Sequence, residues 1–222
     1  MVTRNPVKPE LRGLYAITPW PLAEQQVLQR AEQVLRGGAR VLQLRDKSDD
    51  GPRRLRLAQA LRAACRRHRA LFIVNDDLAL AQAVGADGVH LGRDDMALEQ
   101  ARAQAPELLI GVSCYASLAR AERAQALGAD YVAFGRFFVS RSKPEASPAP
   151  LEVLRQARQR LSLPVVAIGG ITLDNAPRLL AAGAQALAVI DGLFGQADPE
   201  ASARRFAGLF ARGDILAPFQ LD

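Results

Sequence analysis

Short apolar runs alternate with amphipathic segments along almost the whole chain. In four places a helical stretch ends at Gly-Ala and an apolar run follows: GGARVLQLRDK (37–47), GADGVHLGRDD (85–95), GADYVAFGRFF (128–138) and AGAQALAVIDG (182–192). Glycine commonly caps a helix C-terminus, and an apolar or β-branched run bounded by turn residues indicates a buried strand. Four further runs have the same apolar character: GLYAIT (13–18), LFIVN (71–75), LLIGVS (108–113) and PVVAIGG (164–170). The pattern therefore predicts eight short strands.

A helical pattern follows each of these strands. The predicted helices cover roughly residues 21–36, 49–68, 77–84, 95–105, 116–127, 149–161, 173–182 and 198–211. Strands that alternate with helices indicate parallel βαβ units, and continuous apolar strands fit a parallel sheet buried on both faces. Eight such units predict an α/β fold, a single-domain (β/α)8 TIM barrel.

The barrel is expected to span residues 11–212, after a flexible arm at 1–10 and before a tail at 213–222. A doubly wound open sheet is the alternative architecture. It is disfavoured because eight units of similar size are present and because AIGGI (167–171) lacks the third glycine of a dinucleotide-binding fingerprint.

The net charge of +6 raises the question of a nucleic-acid partner. In the most basic segment, RRLRLAQALRAACRRHR (53–69), apolar residues recur at helical spacing, which indicates an amphipathic helix with a solvated basic face. No basic segment is interleaved with aromatic residues, as a groove for single-stranded nucleic acid requires. We therefore expect no nucleic-acid partner.

The chain also carries no sequence signal for a membrane or for secretion. It has no run of 18 apolar residues, and its first ten residues lack the apolar region of a signal peptide. Cys65 and Cys114 fit neither a disulfide framework nor a metal-ligand spacing. These features favour a cytoplasmic protein, whereas the oligomeric state is not predicted by any feature of the sequence.

In a TIM barrel, chemistry takes place at the carboxyl ends of the strands. Polar residues or glycines follow seven of the eight predicted strands at this rim. They are Gln43, Arg45, Asp46, Lys47, Asn75, Asp76, Asp77, Arg93, Asp94, Asp95, Ser113, Arg136, Ser140, Arg141, Ser142, Lys143, Gly169, Gly170, Asp191 and Gly192.

Two pairs of aspartates, Asp76-Asp77 and Asp94-Asp95, follow neighbouring strands. Magnesium is typically held by one or two carboxylates together with substrate phosphates. The alternative is helix capping, since Asp77 and Asp94 each open a helical pattern. Capping needs only one aspartate at each place, which leaves Asp76 and Asp95 as candidate metal ligands. Metal binding and capping both remain open on this evidence.

Cations and glycines on the same rim suggest an anionic substrate. Only three of the 29 basic residues are lysines, and Lys47 and Lys143 both follow predicted strands. With Arg45 they fit a phosphate or pyrophosphate, or else ion pairs with the rim aspartates. The glycines of IGG (168–170) and IDG (190–192) stand where barrels commonly bind phosphate, although tight turns alone would also select glycine.

Nine segments in one order carry a resemblance to a known family. They are LYAIT, QLRDK, VNDD, ADGVHLGRDD, GVS, GADYVAFGRFF, SRSK, PVVAIGGIT and AVIDGLF. From about residue 11 to residue 210 the chain resembles the thiamine-phosphate synthases, which have a (β/α)8 fold. The resemblance implies a Mg²⁺-dependent transfer that joins a pyrimidine pyrophosphate (HMP-PP) to thiazole phosphate or its carboxylated form. Pyrophosphate would leave first, and the thiazole nitrogen would then attack the resulting cation.

The resemblance also implies a role for each matching residue. For the chemical step it implies Arg45, Lys47, Ser113 and Lys143. For HMP-PP binding it implies Gln43, Leu44, Arg45, Asp46, Lys47, Asn75, Ser113 and Lys143. For thiazole-phosphate binding it implies Ser140, Arg141, Ser142, Gly170, Ile190 and Asp191. For Mg²⁺ it implies Asp76 and Asp95.

This chain departs from the family pattern in three places. The family often has His at the position of Tyr115, Thr at those of Ser140 and Ser142, and Ser or Asn at that of Asp191. The related thiazole tautomerases have that His and lack the two metal-binding aspartates, so the synthases are the better match. A non-catalytic phosphate-binding barrel is the alternative from another class. His90, within the fourth strand, is expected to be a packed barrel residue, and Cys114 a small buried thiol.

Overall fold

Eight parallel strands close into a barrel in the computed structural model, which describes residues 11–139 and 148–211. The strands are β1 (Gly13–Ile17), β2 (Val41–Leu44), β3 (Leu71–Asn75), β4 (Gly88–Leu91), β5 (Leu109–Tyr115), β6 (Tyr131–Gly135), β7 (Val165–Ile168) and β8 (Ala186–Val189). Each strand pairs with its neighbours in sequence, and β8 pairs with β1. The predicted (β/α)8 barrel is confirmed, and the open-sheet alternative is wrong. The predicted arm and tail lie outside the described residues.

The helices surround the barrel. They are α1 (Glu24–Arg36), α2 (Gly51–His68), α3 (Leu78–Ala83), α4 (Leu98–Gln104), α5 (Leu118–Ala126), α6 (Glu152–Arg160), α7 (Ala176–Ala181), α8 (Asp191–Phe194) and α9 (Pro199–Ala211). The eight predicted helices are present, most of them starting two or three residues later than expected because the first residues form the βα loops. The short α8 was not predicted. No helix in the described part of the chain is both long and apolar enough to cross a membrane.

The apolar residues form two layers. The larger layer lies between the sheet and the helices, and it takes in both cysteines and the apolar faces of the helices. The smaller layer fills the inside of the barrel and consists of Leu11, Tyr15, Ile17, Val41, Ile73, Tyr131, Ala133, Val166, Ala186 and Ala188. Because side chains fill the barrel interior, the barrel is a packed core and has no pore through it.

Polar side chains close the amino-terminal end of the barrel. Asp87, just before β4, accepts a hydrogen bond from the backbone N–H of Phe72 at 2.7 Å and pairs with Arg62 at 2.7 Å. Gln185, just before β8, accepts in the same way from Val165 at 3.1 Å. These contacts pair backbone groups at the strand ends, so this end of the barrel serves stability and the opposite end is left for function.

Candidate active site

A cavity of about 680 Å³ opens at the carboxyl end of the barrel. Seven of the predicted site residues line it: Gln43, Arg45, Asn75, Ser113, Gly170, Ile190 and Asp191. They come from β2, β3, β5 and the loops around β7 and β8, so the closed sheet brings together residues that are far apart in sequence. A second depression, of about 520 Å³, lies on the surface beside Trp20 and Arg53 and contains none of these residues.

The floor of the cavity is a chain of hydrogen bonds through the barrel interior. Gln43 Nε2 donates to the Tyr15 hydroxyl at 2.8 Å, and that hydroxyl lies 2.9 Å from the Tyr131 hydroxyl. The Tyr131 hydroxyl lies 3.1 Å from His90 Nδ1, and His90 Nε2 lies 2.9 Å from Ser113 Oγ. Burial lowers the pKa of His90 to about 4, so its imidazole is neutral at neutral pH.

The two candidate metal ligands lie next to each other at the rim. Burial, a hydrogen bond with Asp95 and the negative charge of Asp95 together raise the pKa of Asp76 to about 6, against the opposing effect of Lys47 and Arg45. The backbone of Asp76 is in the left-handed region (φ 65°), which is uncommon outside glycine. Two adjacent carboxylates that disfavour each other's charge fit a divalent cation, which would relieve that repulsion.

The number of carboxylates at this place also fits magnesium. No group of three or more His, Cys, Asp or Glu residues in the described ranges is placed to hold a metal. Two carboxylates leave positions for substrate phosphate oxygens and water, which is how magnesium is usually bound. A site of this kind would therefore be completed by a phosphorylated substrate.

The capping hypothesis holds for one aspartate and fails for the other. Asp77 is the N-cap of α3, where its Oδ1 accepts a hydrogen bond from Leu80 N at 2.9 Å. Asp94 caps nothing, because α4 starts only at Leu98 and its N-cap residue is Ala97, which has no capping side chain. The residues before α4 form a turn instead, in which Gly92 N donates to Asp95 Oδ2 at 2.5 Å.

The loop after β2 presents its residues in two directions. Arg45 faces the cavity and Lys47 is exposed beside Asp76. The carboxylate of Asp46 is only 3% exposed, because it pairs with Arg53 of α2 and accepts a hydrogen bond from Ser48 N at 2.9 Å. The Leu44 side chain packs in the outer apolar layer, so only its backbone is available to a ligand.

The loop after β7 crosses very close to the loop after β6. Gly170 has φ 64°, and a Cβ there would lie 2.4 Å from the carbonyl oxygen of Val139. Asn175 Nδ2 holds the Gly170 carbonyl oxygen at 2.9 Å. Asp191 is the exposed first residue of α8, directly after Ile190. The backbones of these predicted thiazole-phosphate residues therefore meet on one side of the cavity, which Val139 also lines.

Four predicted site residues, Ser140, Arg141, Ser142 and Lys143, lie outside the described residues. The roles expected for them stay predictions. Val139, the last described residue before this segment, lines the cavity.

Several residues at the site were not predicted from the sequence. Tyr15 and Tyr131 join the chain of hydrogen bonds on the cavity floor, and His90, expected only to pack, links them to Ser113. Each is a polar side chain within an apolar strand. Since buried polar groups are nearly always hydrogen-bonded, three of them in strands of one barrel were a readable signal of a polar network.

Arg120 of α5 is a further unpredicted residue, and it ties two rim loops together. Its Nε donates to the Ser113 carbonyl oxygen at 2.8 Å, and its guanidinium reaches the Gly92 carbonyl oxygen at 3.3 Å. The ring of Tyr115, which lines the cavity, has two guanidinium groups near it: that of Arg93 at 4.5 Å and that of Arg120 at 6.0 Å from the ring centroid.

Comparison with known proteins agrees with this geometry. A family model described as thiamine monophosphate synthase matches residues 14–193. The thiamine-phosphate synthase of Thioalkalivibrio sulfidiphilus is 58% identical over 202 residues, which cover 90% of this chain and 96% of the relative. The solved thiamine phosphate pyrophosphorylase of Pyrococcus furiosus superposes with a TM-score of 0.84 at 36% identity, covering 92% of this chain and 97% of its own. The chain therefore belongs to the thiamine monophosphate synthase family and carries the thiamine-phosphate synthase activity, a transfer between small molecules.

Proposed function

We propose that the enzyme joins HMP-PP to thiazole phosphate, or to its carboxylated form, with Mg²⁺ as cofactor. One observation carries the proposal: the paired carboxylates of Asp76 and Asp95 lie close to Lys47 and to Arg45, and Arg45 lines the cavity. Carboxylates and cations in one place suit a metal-bound pyrophosphate, because the metal meets the carboxylates and the cations meet the phosphate oxygens.

The pyrimidine substrate would bind on the β2, β3 and β5 side of the cavity. There Gln43, Asn75 and Ser113 offer uncharged hydrogen-bonding groups, and Arg45 supplies a positive charge. In this arrangement the pyrimidine ring would lie over the floor of the cavity, and its pyrophosphate would point toward Lys47 at the rim. The thiazole phosphate would bind across the cavity at the backbones of Gly170, Ile190 and Asp191, together with Ser140, Arg141 and Ser142.

The protein would promote departure of pyrophosphate and would need no nucleophile of its own. Arg45, Lys47 and Lys143 would stabilise the negative charge that develops on the leaving oxygen. Magnesium, when bound, supplies further positive charge to the same group. Ser113 would donate a hydrogen bond to the pyrimidine substrate and keep its methylene carbon facing the thiazole nitrogen.

We also propose a cytoplasmic location. It is supported by the two cysteines, Cys65 and Cys114, which are both buried free thiols, as is usual where the environment is reducing.

The test is to incubate the purified protein with both substrates in the presence of Mg²⁺ or of EDTA. We expect thiamine phosphate and pyrophosphate with Mg²⁺, none with EDTA, and recovery when excess Mg²⁺ is added back. Asp76→Ala and Asp95→Ala should each lower kcat/KM by about 100-fold or more, since each removes a carboxylate that would hold the Mg²⁺ beside the leaving group.

Asp77→Asn is the matched control, because Asp77 neighbours Asp76 but caps α3, and asparagine is an equally good N-cap. It should keep nearly full activity. Full activity in EDTA would contradict the magnesium assignment, and full activity of either alanine variant would contradict the ligand assignment.

A further inference from the structure

Three buried polar side chains that the proposed reaction does not use link two residues that it does use. Tyr15, Tyr131 and His90 are 1%, 0% and 9% exposed. They connect Gln43 on β2 to Ser113 on β5 through the four hydrogen bonds described above. Both end residues line the cavity.

The available donors and acceptors assign one direction of donation to this series of hydrogen bonds, from Gln43 toward Ser113. Gln43 Nε2 donates to Tyr15, so the single hydroxyl hydrogen of Tyr15 is left for Tyr131. Because the Tyr131 hydroxyl then accepts from Tyr15, its own hydrogen is left for His90 Nδ1, which lies 3.1 Å away. An imidazole that accepts at Nδ1 carries its proton on Nε2, so this N–H is the donor to Ser113 Oγ, which lies 2.9 Å away.

This direction determines what each end offers to a ligand. Because Ser113 Oγ accepts from His90, its own hydrogen is left to donate into the cavity. Because Gln43 uses its amide nitrogen on Tyr15, its carbonyl oxygen is left to accept. If every hydrogen bond were donated in the opposite direction, Gln43 would present N–H groups to a ligand and Ser113 would present only lone pairs.

The packing holds the rings in this arrangement. Tyr15 and Tyr131 meet edge to face with 6.1 Å between ring centroids, and His90 stacks on Tyr131 at 5.5 Å. Gly111 on β5 provides the space for Tyr131, since a Cβ there would lie 1.9 Å from Tyr131 Cζ. The Tyr131 ring therefore depends on a glycine in the adjacent strand.

We propose that Tyr15, Tyr131 and His90 form a directional hydrogen-bond relay that presets Gln43 as an acceptor and Ser113 as a donor for the pyrimidine substrate. The three are positioning residues, which act on the substrate through the two ends of the relay. They would select a pyrimidine that donates a hydrogen bond at Gln43 and accepts one at Ser113. The choice of pyrimidine as ligand rests on the proposed function; the direction of the relay does not.

The direction can be tested without any substrate. The chain has only two histidines, His68 and His90, so the ring ¹⁵N signals are easily assigned with a His68→Gln variant. At pH 7.5 we expect His90 to be neutral with its proton on Nε2. Tyr131→Phe should move the Nδ1 signal, because it removes the donor to that atom. A proton on Nδ1 in the wild type, a charged ring, or signals unchanged in Tyr131→Phe would overturn the relay.

The effect on the substrate is tested by kinetics. Tyr131→Phe should raise KM for HMP-PP about 10-fold, the upper range for one net hydrogen bond, and change KM for thiazole phosphate less than about twofold. In a Ser113→Ala background the same substitution should add little, because its effect passes through Ser113. Equal changes for both substrates, or full additivity with Ser113→Ala, would overturn the positioning role.

Val132→Ala is the matched control for lost stability. Val132 follows Tyr131 on β6, and its fully buried side chain packs in the outer layer, away from the cavity. We expect this variant to be less stable with both KM values unchanged. If it raises KM for HMP-PP as much as Tyr131→Phe does, the effect is general loosening of the barrel. A wild type that makes no thiamine phosphate would contradict the proposed function, while the ¹⁵N result would still decide the direction of the relay.

Discussion

Asp46 is a residue beside the active site whose side chain faces away from it. The family resemblance assigns Asp46 to the pyrimidine substrate, yet its carboxylate is occupied by Arg53 and by Ser48 N. Arg53 also donates to the Leu22 carbonyl oxygen at 2.7 Å and lies over the Trp20 ring at 5.1 Å. The side chain of Asp46 therefore anchors the loop that carries Arg45 and Lys47, and its contact with a substrate would be through the backbone.

We predict that Asp46→Ala and Arg53→Ala impair the enzyme through the same loop. Each should raise KM for HMP-PP, although Arg53 does not line the cavity. The double variant should lose less unfolding free energy than the sum of the losses in the two single variants. We expect this difference, measured by urea unfolding, to be about 0.5–3 kcal/mol. If Asp46→Ala is impaired while Arg53→Ala has normal kinetics, the Asp46 side chain contacts the substrate directly.

At the scale of single residues, the sequence predicts roles that depend on neighbours in the chain better than it predicts long-range hydrogen-bond partners. Asp77 was recognisable as a cap because the capping bond is local, three residues along the chain. Asp94 was misjudged because where α4 starts depends on the turn closed by Asp95 and Gly92. The hydrogen bond between Tyr15 and Tyr131 joins residues 116 positions apart, and no local pattern encodes such a pair.

The loop after β7 shows how one element depends on another. A Cβ at Gly170 would collide with the Val139 carbonyl oxygen, and its φ of 64° also disfavours other residues. Gly85 has nearly the same φ, 60°, but nothing within 4 Å of its Cβ position. The two glycines therefore separate the cost of the backbone conformation from the cost of the collision.

We predict that Gly170→Ala raises KM for thiazole phosphate at least about 10-fold, because the loop must move to relieve the contact. Gly85→Ala should lose about 1 kcal/mol of stability, the cost of placing alanine in the left-handed region, and keep both KM values. Steady-state kinetics and thermal unfolding of both variants check this. Equal kinetics for the two variants would show that the close approach of the loops is unimportant for this substrate.

The elements themselves were largely predictable. Buried strands and the Gly-Ala helix ends are local signals, so all eight strands were found and the barrel followed from their number. Helix α8 was missed, since four residues are too few for a helical periodicity and IDGLFG resembles a turn. It matters for the site because it begins at Asp191, one of the residues expected at the thiazole phosphate.

At the scale of the whole molecule, the abundant arginines tie the outer helices to their neighbours. Arg62 and Arg67 of α2, for example, pair with Asp87 at 2.7 Å and Glu32 at 2.9 Å. The basic face of α2 is therefore partly used in contacts between elements. Exposed pairs such as Arg67–Glu32 add little stability individually, so the barrel depends mainly on its two apolar layers.

The two cysteines report on the integrity of the outer layer. Both thiols are 0% exposed, and burial raises the pKa of each to about 12. The folded protein holds these protons more tightly than the unfolded chain. Their contribution to stability is therefore complete below the ordinary thiol pKa of 9.0 and is lost as the pH rises toward 12.

We predict that Cys65 and Cys114 resist labelling by a thiol reagent at pH 8 until the barrel opens. A pKa of about 12 in place of 9.0 leaves about 1000-fold less thiolate, the reactive form, and burial blocks access as well. Labelling in increasing urea should therefore follow global unfolding measured by circular dichroism, and a Cys65→Ala variant assigns the remaining signal to Cys114. Labelling of Cys114 well before that transition would show that β5, which carries Ser113 and the end of the relay, opens locally while the rest of the barrel stays folded.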